Sequence, residues 1–273
     1  ITHYFNPVRY MRLLELVRGS ETNHDVIDRL ADFNDRVLGK GVVRCGDTPG
    51  FLGNRVGVFA LQVGIDETLK CNLAIEDADA LFGRPMGIPK TGVFGLYDLI
   101  GIDLMADVVV SLGNILPADD AFHAVGAANP AIAAMIAAGF TGDKGKGGFY
   151  CLDGTKRMAR QFAGYEGNDM PPLKPAKTKL PAAAIAAAEA SARQDEPLFM
   201  LLDGHDDQAR FCRRVLGRIL HYAANLVPSV TTTPQDIDDA MKLGFNWQRG
   251  PFEMIDAIGQ QRFAALSVER GLT

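Results

Sequence analysis

One helical unit occurs twice in this chain, and this repeat restricts the possible folds more than any other feature. Each copy contains, in the same order, an Asp-x-Asp triplet, a Gly-x-Phe triplet and an Asp-x-Ile-Gly tetrad. They stand at 77–79, 92–94 and 98–101 in the first copy and at 236–238, 250–252 and 256–259 in the second. Two such units can bury a shared core, so we predict a mainly α protein in which duplication supplies packing.

Composition narrows the class of protein. The chain has 273 residues, of which 47% are hydrophobic and 22% charged, the balance of an ordinary globular protein with enough apolar surface to fold. No apolar run approaches the roughly 18 residues of a spanning helix, so membrane insertion is not expected. The chain has 33 acidic and 28 basic residues, and this net negative charge argues against a nucleic-acid partner.

The cysteines and histidines do not have the sequence spacing that is typical of metal ligands. The four cysteines are widely separated and form no C-x-x-C pair: Cys45, Cys71, Cys151 and Cys212. We therefore expect no metal site and no disulfide framework, but reduced thiols in a cytoplasmic protein.

The N-terminal part has the pattern of a βαβ unit. Strands are predicted at 3–7, 11–18 and 41–45, and a helix at 24–38. Six apolar side chains are predicted to share one side of that helix: Val26, Ile27, Leu30, Phe33, Val37 and Leu38. One βαβ unit cannot form a domain, and the chain starts without Met in a predicted strand. We therefore expect a remnant of a Rossmann-type domain within a fragment of a longer polypeptide.

The remainder is predicted to be helical, apart from a Pro-, Lys- and Gly-rich segment, 153–181, with few apolar residues. Helices are predicted at 51–71, 76–82, 96–113, 129–139, 182–194, 206–227 and 235–243. These patterns divide the chain into the βαβ remnant, a first helical domain, a linker and a second helical repeat. The predicted bounds are 1–48, 49–152, 153–195 and 196–273.

A few polar residues could carry chemistry. Glu15 shares a strand face with apolar residues, and a buried carboxylate needs a partner, for which His3 is the candidate. Such a pair makes a general base, although it also occurs as a structural ion pair. Asn6 and Asn54 could donate to an oxyanion, or serve only in a turn and a helix start. Lys144, in the glycine-rich loop 142–149, could contact an anionic ligand, although that loop is not G-x-G-x-x-G.

Five segments together resemble the 3-hydroxyacyl-CoA dehydrogenase family over about 150 residues. They are HYFNP followed by LELVRG (3–19), LGK (38–40), DTPGFLGNR (47–55), PMG with FGLYD (85–98) and GDKGKGGFY (142–150). Residues 236–259 resemble the second helical repeat of multifunctional β-oxidation enzymes, in which an enoyl-CoA hydratase domain shares the chain.

The resemblance implies two tandem helical C-terminal repeats after a Rossmann-type domain, and oxidation of (3S)-3-hydroxyacyl-CoA to 3-oxoacyl-CoA with NAD as cofactor. It implies that His3 accepts the hydroxyl proton and that Glu15 orients His3. Asn54 and, less directly, Asn6 would bind the 3-oxygen or the acyl thioester, and Lys144 would contact the cofactor. An acyl-CoA substrate is the implied partner, and a homodimer and a hydratase domain on the same chain are left open.

Two departures from the family pattern qualify this reading. The G-x-G-x-x-G segment does not occur, so the nucleotide-binding domain is expected to be missing and the fragment to be inactive alone. The loop after Met86 is longer than in the family and reads PKTG at 89–92. Close to the first residue of the chain, His3 is expected to be poorly anchored, because termini fray.

Two alternatives stay open at this point. The chain could be a helical dimerisation or docking module without activity, or a related dehydrogenase of a hydroxy acid that carries no CoA.

Overall fold

The computed structural model describes residues 1–165 and 167–269, with side chains to Leu266. Residue 166 of the predicted linker and residues 270–273 of the predicted second repeat lie outside the described residues. Helices predominate, and two small sheets accompany them. Within the described part, no helix has the length and apolar character needed to cross a membrane.

The N-terminal part forms the predicted βαβ unit. Strand β2 (Leu13–Val17) is followed by helix α1 (His24–Arg36) and by strand β3 (Gly41–Cys45), which pairs parallel to β2. A short strand, β1 (Thr2–Tyr4), pairs antiparallel on the other side of β2. β2 is therefore the central strand, and all five of its residues are buried.

Helix α1 does not bury the apolar side that the periodicity predicts. Ile27 is buried, but Val26 and Phe33 are each about half exposed, and Val37 is about two-thirds exposed. Two helical turns after Ile27, the residue that faces inward is Asn34. It is fully buried and accepts a hydrogen bond from the Tyr4 hydroxyl at 2.6 Å. The sheet below has three strands, so a narrow stripe of α1 suffices to cover it.

The first helical unit follows a tight turn at 47–51. It contains α2 (Gly53–Lys70), α3 (Ile75–Phe82), α4 (Phe94–Ile100), α5 (Ile102–Ile115) and α6 (Pro130–Ala137). The single helix predicted over 96–113 is two helices, because Gly101 between them has a φ of 111°, which only glycine adopts readily.

The segment predicted to be a linker, 153–195, contains regular secondary structure, so that prediction is partly wrong. Strands β4 (Tyr150–Asp153), β5 (Lys156–Arg160) and β6 (Leu173–Pro175) form an antiparallel sheet there. Only Ala159 and Arg160 of β5 are buried, and the Arg160 guanidinium lies 4.4 Å from the centre of the Phe140 ring. So little of this sheet is apolar that composition alone indicates a loop.

The second half is helical again. It contains α7 (Ala182–Ala192), α8 (Pro197–Leu202), α9 (Asp207–Asn225), α10 (Pro234–Gly244), α11 (Pro251–Ile258) and α12 (Gln260–Glu269).

The two copies of the repeated unit use the same device. The Asp79 carboxylate accepts hydrogen bonds from the backbone of Val93 and Phe94, at 2.7 and 2.8 Å, where α4 begins. The Asp238 carboxylate accepts from the backbone of Phe252 and Glu253, at 2.8 and 3.1 Å, where α11 begins. Both acids are buried, so in each repeat a carboxylate from within one helix caps the start of a later helix.

The copies pack together through α2 and α9. The Phe59 ring stacks on the Tyr222 ring with centroids 3.8 Å apart. Further along the same helices, the fully buried Glu67 accepts hydrogen bonds from Arg214 at 3.1 Å and from Arg218 at 2.6 Å. Aromatic stacking and a paired buried charge therefore join the two repeats around one core.

If these caps hold the repeats together, Asp79→Ala and Asp238→Ala each lower the free energy of unfolding by about 1–3 kcal/mol, because backbone donors lose their acceptor. Asp79→Ala should cost more, since its carboxylate also accepts from Gly95 and the Tyr150 hydroxyl. Urea unfolding measures both values. The exposed Asp256→Ala is the control and should change stability by less than about 0.5 kcal/mol. A value for Asp238→Ala equal to that of the control would contradict the cap.

Candidate active site

The centre of the candidate site is a buried carboxylate on the middle strand. Glu15 has no exposed side-chain surface, and β-sheet register places it directly opposite His3 on β1. Residues opposite each other in an antiparallel pair project to the same face. The His3 Nδ1 atom lies 2.6 Å from Glu15 Oε2, so the two strands bring the predicted pair together.

The same carboxylate also binds the beginning of α2. The backbone N–H groups of Leu52 and Gly53 donate to Glu15 Oε1 at 2.9 and 2.7 Å. These are donors that the helix itself leaves unpaired, and the positive end of the helix dipole lies beside them. Glu15 is thus a buried charge with three strong partners, which is the condition under which such a charge is tolerated.

Cys45 lies beside this carboxylate and does not compete with it. Its thiol donates weakly to Glu15 Oε1 at 3.8 Å. Burial, reinforced by the negative charge of Glu15, raises the pKa of the Cys45 thiol far above its usual range. Cys45 therefore stays protonated and has no role as a thiolate nucleophile.

His3 is well anchored, so the expectation of a frayed residue was wrong. Besides its strand pairing and its bond to Glu15, the ring packs against Phe5 and Phe51, with centroids 5.1 and 5.7 Å away. The side chain is still about 33% exposed. One ring nitrogen is therefore fixed from inside while the ring edge remains open to a groove.

That groove has a volume of about 620 Å³ and lies between the strand of His3 and helix α5. Its polar lining includes Thr48, Asn54 and Ser111. Its apolar lining includes Phe51 and residues on one face of α5, namely Val108, Leu112 and Ile115. A polar end next to an apolar wall suits a ligand that carries a reacting polar group on a hydrocarbon chain.

A strained turn fixes the mouth of the groove. Gly50 and Phe51 both have positive φ, at 77° and 48°, immediately before α2. The φ of 77° at Gly50 favours glycine, and a Cβ there would also come within 2.9 Å of Leu112 Cδ2 on α5. Backbone strain of this kind persists where the surrounding structure holds it, and here it aims the start of α2 at Glu15.

The second repeat supports the site from behind. The ring of Phe245 packs edge-on against Phe5, with centroids 5.8 Å apart. The same ring occupies the space that a Cβ on Gly57 would need, one turn into α2. A side chain on Gly244 would collide with Leu13 of the central strand. The end of α10 thus presses on both β2 and α2.

Of the other three predicted site residues, one lines the groove and two do not. Asn54 lines the groove from the first turn of α2. Asn6 is exposed and does not line the groove. Lys144 pairs with Asp103 at 2.7 Å, at the start of α5, whereas the groove is lined by the C-terminal half of that helix. Three residues that line the groove were not predicted as site residues: Thr48, Phe51 and Ser111. The first two belong to the DTPGF segment at 47–51, which was the signal that could have identified them.

Comparison with known families matches two parts of the chain. Residues 1–48 match the NAD binding domain of 3-hydroxyacyl-CoA dehydrogenase, and residues 50–151 and 211–269 match the C-terminal domain. The fold and these matches define a class of protein with an NAD-binding part followed by a duplicated helical part. The chain belongs to the 3-hydroxyacyl-CoA dehydrogenase family. The prediction that the NAD-binding domain is missing is not borne out, because residues 1–48 match it, and NAD is supported as the cofactor.

Individual relatives agree with this family. The chain is 38% identical over 256 residues to a Rickettsia felis protein whose name assigns it to a fatty acid oxidation complex as a trifunctional enzyme. That match covers 93% of this chain and 34% of the relative. A Bacillus subtilis protein named as a 3-hydroxyacyl-CoA dehydrogenase is 33% identical, over 96% of this chain and 32% of its own length. The chain thus spans about a third of these relatives.

A solved structure shows the same fold. The 3-hydroxybutyryl-CoA dehydrogenase of Escherichia coli matches 98% of this chain and 65% of its own chain, with a TM-score of 0.61 and 22% sequence identity.

The Glu15 contacts predict a local effect that hydrogen exchange can measure. Glu15→Ala removes the acceptor of the Leu52 and Gly53 amides, so both amide protons should exchange faster, and stability should fall by about 1–3 kcal/mol for each unpaired donor. Glu15→Gln keeps one acceptor oxygen and should lie between. The exposed Glu21→Ala is the control. Unchanged exchange at both amides in Glu15→Ala would contradict the capping of α2 by Glu15.

Proposed function

We propose that this chain carries the substrate half of an NAD-dependent 3-hydroxyacyl-CoA dehydrogenase that oxidises (3S)-3-hydroxyacyl-CoA to 3-oxoacyl-CoA. The observation that carries the proposal is His3, bonded to the buried Glu15 and open to a groove with an apolar wall. The family match supports the reaction class.

His3 acts as the general base in this proposal. With Nδ1 held by Glu15, the Nε2 atom takes the proton of the substrate 3-hydroxyl, and the adjacent carboxylate stabilises the resulting imidazolium. Glu15 is a positioning residue, because it acts through His3. A well-placed base of this kind contributes about 10²–10⁴-fold to the rate.

Asn54 binds the 3-oxygen in the same proposal. Its amide lines the groove beside His3, where a donor stabilises the charge that develops on the oxygen as the proton leaves. Asn6 was predicted as a weaker substrate contact, and its exposed position outside the groove lining favours Asn54.

The residues present fit one end of the cofactor. NAD, when bound, supplies the hydride acceptor. The buried Thr48 hydroxyl oxygen, which has no hydrogen-bond partner among the described residues, lies by a groove lined by His3 and Phe51. These groups suit a flat, polar ring such as nicotinamide. A cofactor contact of Lys144 has less support, since that side chain pairs with Asp103.

The wider setting is also a proposal. The name of the Rickettsia felis relative supports an acyl-CoA substrate and a multifunctional parent in fatty-acid oxidation. An enoyl-CoA hydratase domain on the same parent chain, a homodimer and a cytoplasmic location remain predictions, the last favoured by four free cysteines.

The decisive variant is His3→Gln in the longest natural polypeptide that contains these residues. NADH consumption with acetoacetyl-CoA should fall by about 10²–10⁴-fold, because glutamine cannot take or give the proton. The exposed His205→Gln is the matched control and should keep the parent rate. Consumption of NADH with free acetoacetate but not with its CoA ester would point to the related dehydrogenase of a hydroxy acid instead. Binding of NADH without turnover would refute both.

A comparison of the two asparagines separates their roles. Asn54→Ala should lower kcat by about 10²–10³-fold, the typical loss for one donor to a developing oxyanion. Asn6→Ala should leave kcat within a few-fold of the parent. Steady-state rates with acetoacetyl-CoA measure both, and a larger loss for Asn6→Ala would reverse the assignment.

A further inference from the structure

A second cavity lies where the two helical repeats meet, away from His3. Its volume is about 450 Å³, within the range of small-molecule sites, and it shares no lining residue with the His3 groove. The first repeat contributes the segment around 84–90, and the second contributes Gln248. The backbone N–H of Gln248 donates to the Gly87 carbonyl at 2.7 Å, so the corresponding loops of the two repeats are joined at the cavity.

The apolar wall of this cavity is an alanine helix. Ala184, Ala187 and Ala188 of α7 line it, together with Leu180 and Pro85. Alanine side chains end at Cβ, so the helix leaves space instead of filling it. Ala184 and Ala187 are buried beneath the cavity, and the exposed side chains of Ala188 and Leu180 form its accessible apolar wall. An unbranched hydrocarbon chain is the shape that lies best along such a wall.

Two cations line the same cavity. Arg84 and Lys90 are exposed to solvent, and within the described residues neither has an ion-pair partner. Lys90 belongs to the loop that is longer here than in the family pattern. Asp79 also lines the cavity, but its carboxylate is already held by three backbone N–H groups and the Tyr150 hydroxyl. In a chain with a net charge of −5, two unpaired cations beside an apolar wall mark a site for an anion with a hydrophobic tail.

We propose that this cavity binds an unbranched fatty acid, with the carboxylate at Arg84 and Lys90 and the tail along Leu180 and Ala188. The proposal is independent of the dehydrogenase activity. It gives the protein a site that recognises free acid, separate from the groove in which a thioester would react.

Calorimetric titration of the 273-residue chain with decanoate, below its micelle concentration, tests the site. One decanoate per chain should bind, and decanol, which has the same tail without the charge, should bind at least tenfold more weakly. The double variant Arg84→Gln/Lys90→Gln should lose at least tenfold in affinity. The matched control Lys156→Gln/Lys174→Gln removes two exposed lysines from the small sheet and should bind as the parent does.

A third variant tests the tail. Ala188 is exposed on α7 yet lines the cavity, so Ala188→Phe should fill it and abolish binding. Urea unfolding of each variant checks that the fold is kept. No decanoate binding, equal binding of decanol, or full affinity in the Arg84/Lys90 variant would each overturn the proposal. Displacement of decanoate by decanoyl-CoA would assign the cavity to the CoA-bound chain and overturn a free-acid site.

Discussion

A single buried carboxylate determines how the parts of this protein fit together. Glu15 lies in the middle of the central strand, and it holds a histidine from one neighbouring strand and two backbone amides from the start of the longest helix of the first repeat. Leaving such a charge unpaired would cost several kcal/mol, so all three partners must be present at once. The relative positions of His3 and Asn54 follow, because one is bound to this carboxylate and the other is in the helix that it caps.

The duplicated unit shows how one local device can serve two purposes. In both copies a buried aspartate accepts backbone hydrogen bonds at the start of a following helix, and a glycine lets the two approach. In the first copy the unit also provides α5, whose face lines the groove beside His3. In the second copy the unit provides packing. The same architecture therefore yields one half that lines the groove and one half that supports it from behind.

Much of this could be read from the sequence, and the reasons are local. The repeat is visible because each capping aspartate is followed, at nearly the same distance, by the glycine that lies against it. The His3–Glu15 pair is predictable because an acid in a buried strand must be paired. The small sheet at 150–175 was not predicted, because few of its residues are apolar. Periodicity could not show which side of α1 faces the sheet. The placements of Asn6 and Lys144 depend on long-range geometry, which motif order does not contain.

Phe245 stands in the place that a side chain on Gly57 would occupy and touches Phe5, two residues from His3. The second copy is therefore part of the wall that supports the strand of His3. The two copies are therefore not interchangeable modules. Gly57 in the first and Phe245 in the second are complementary in shape, so a larger side chain at position 57 needs a smaller one at position 245.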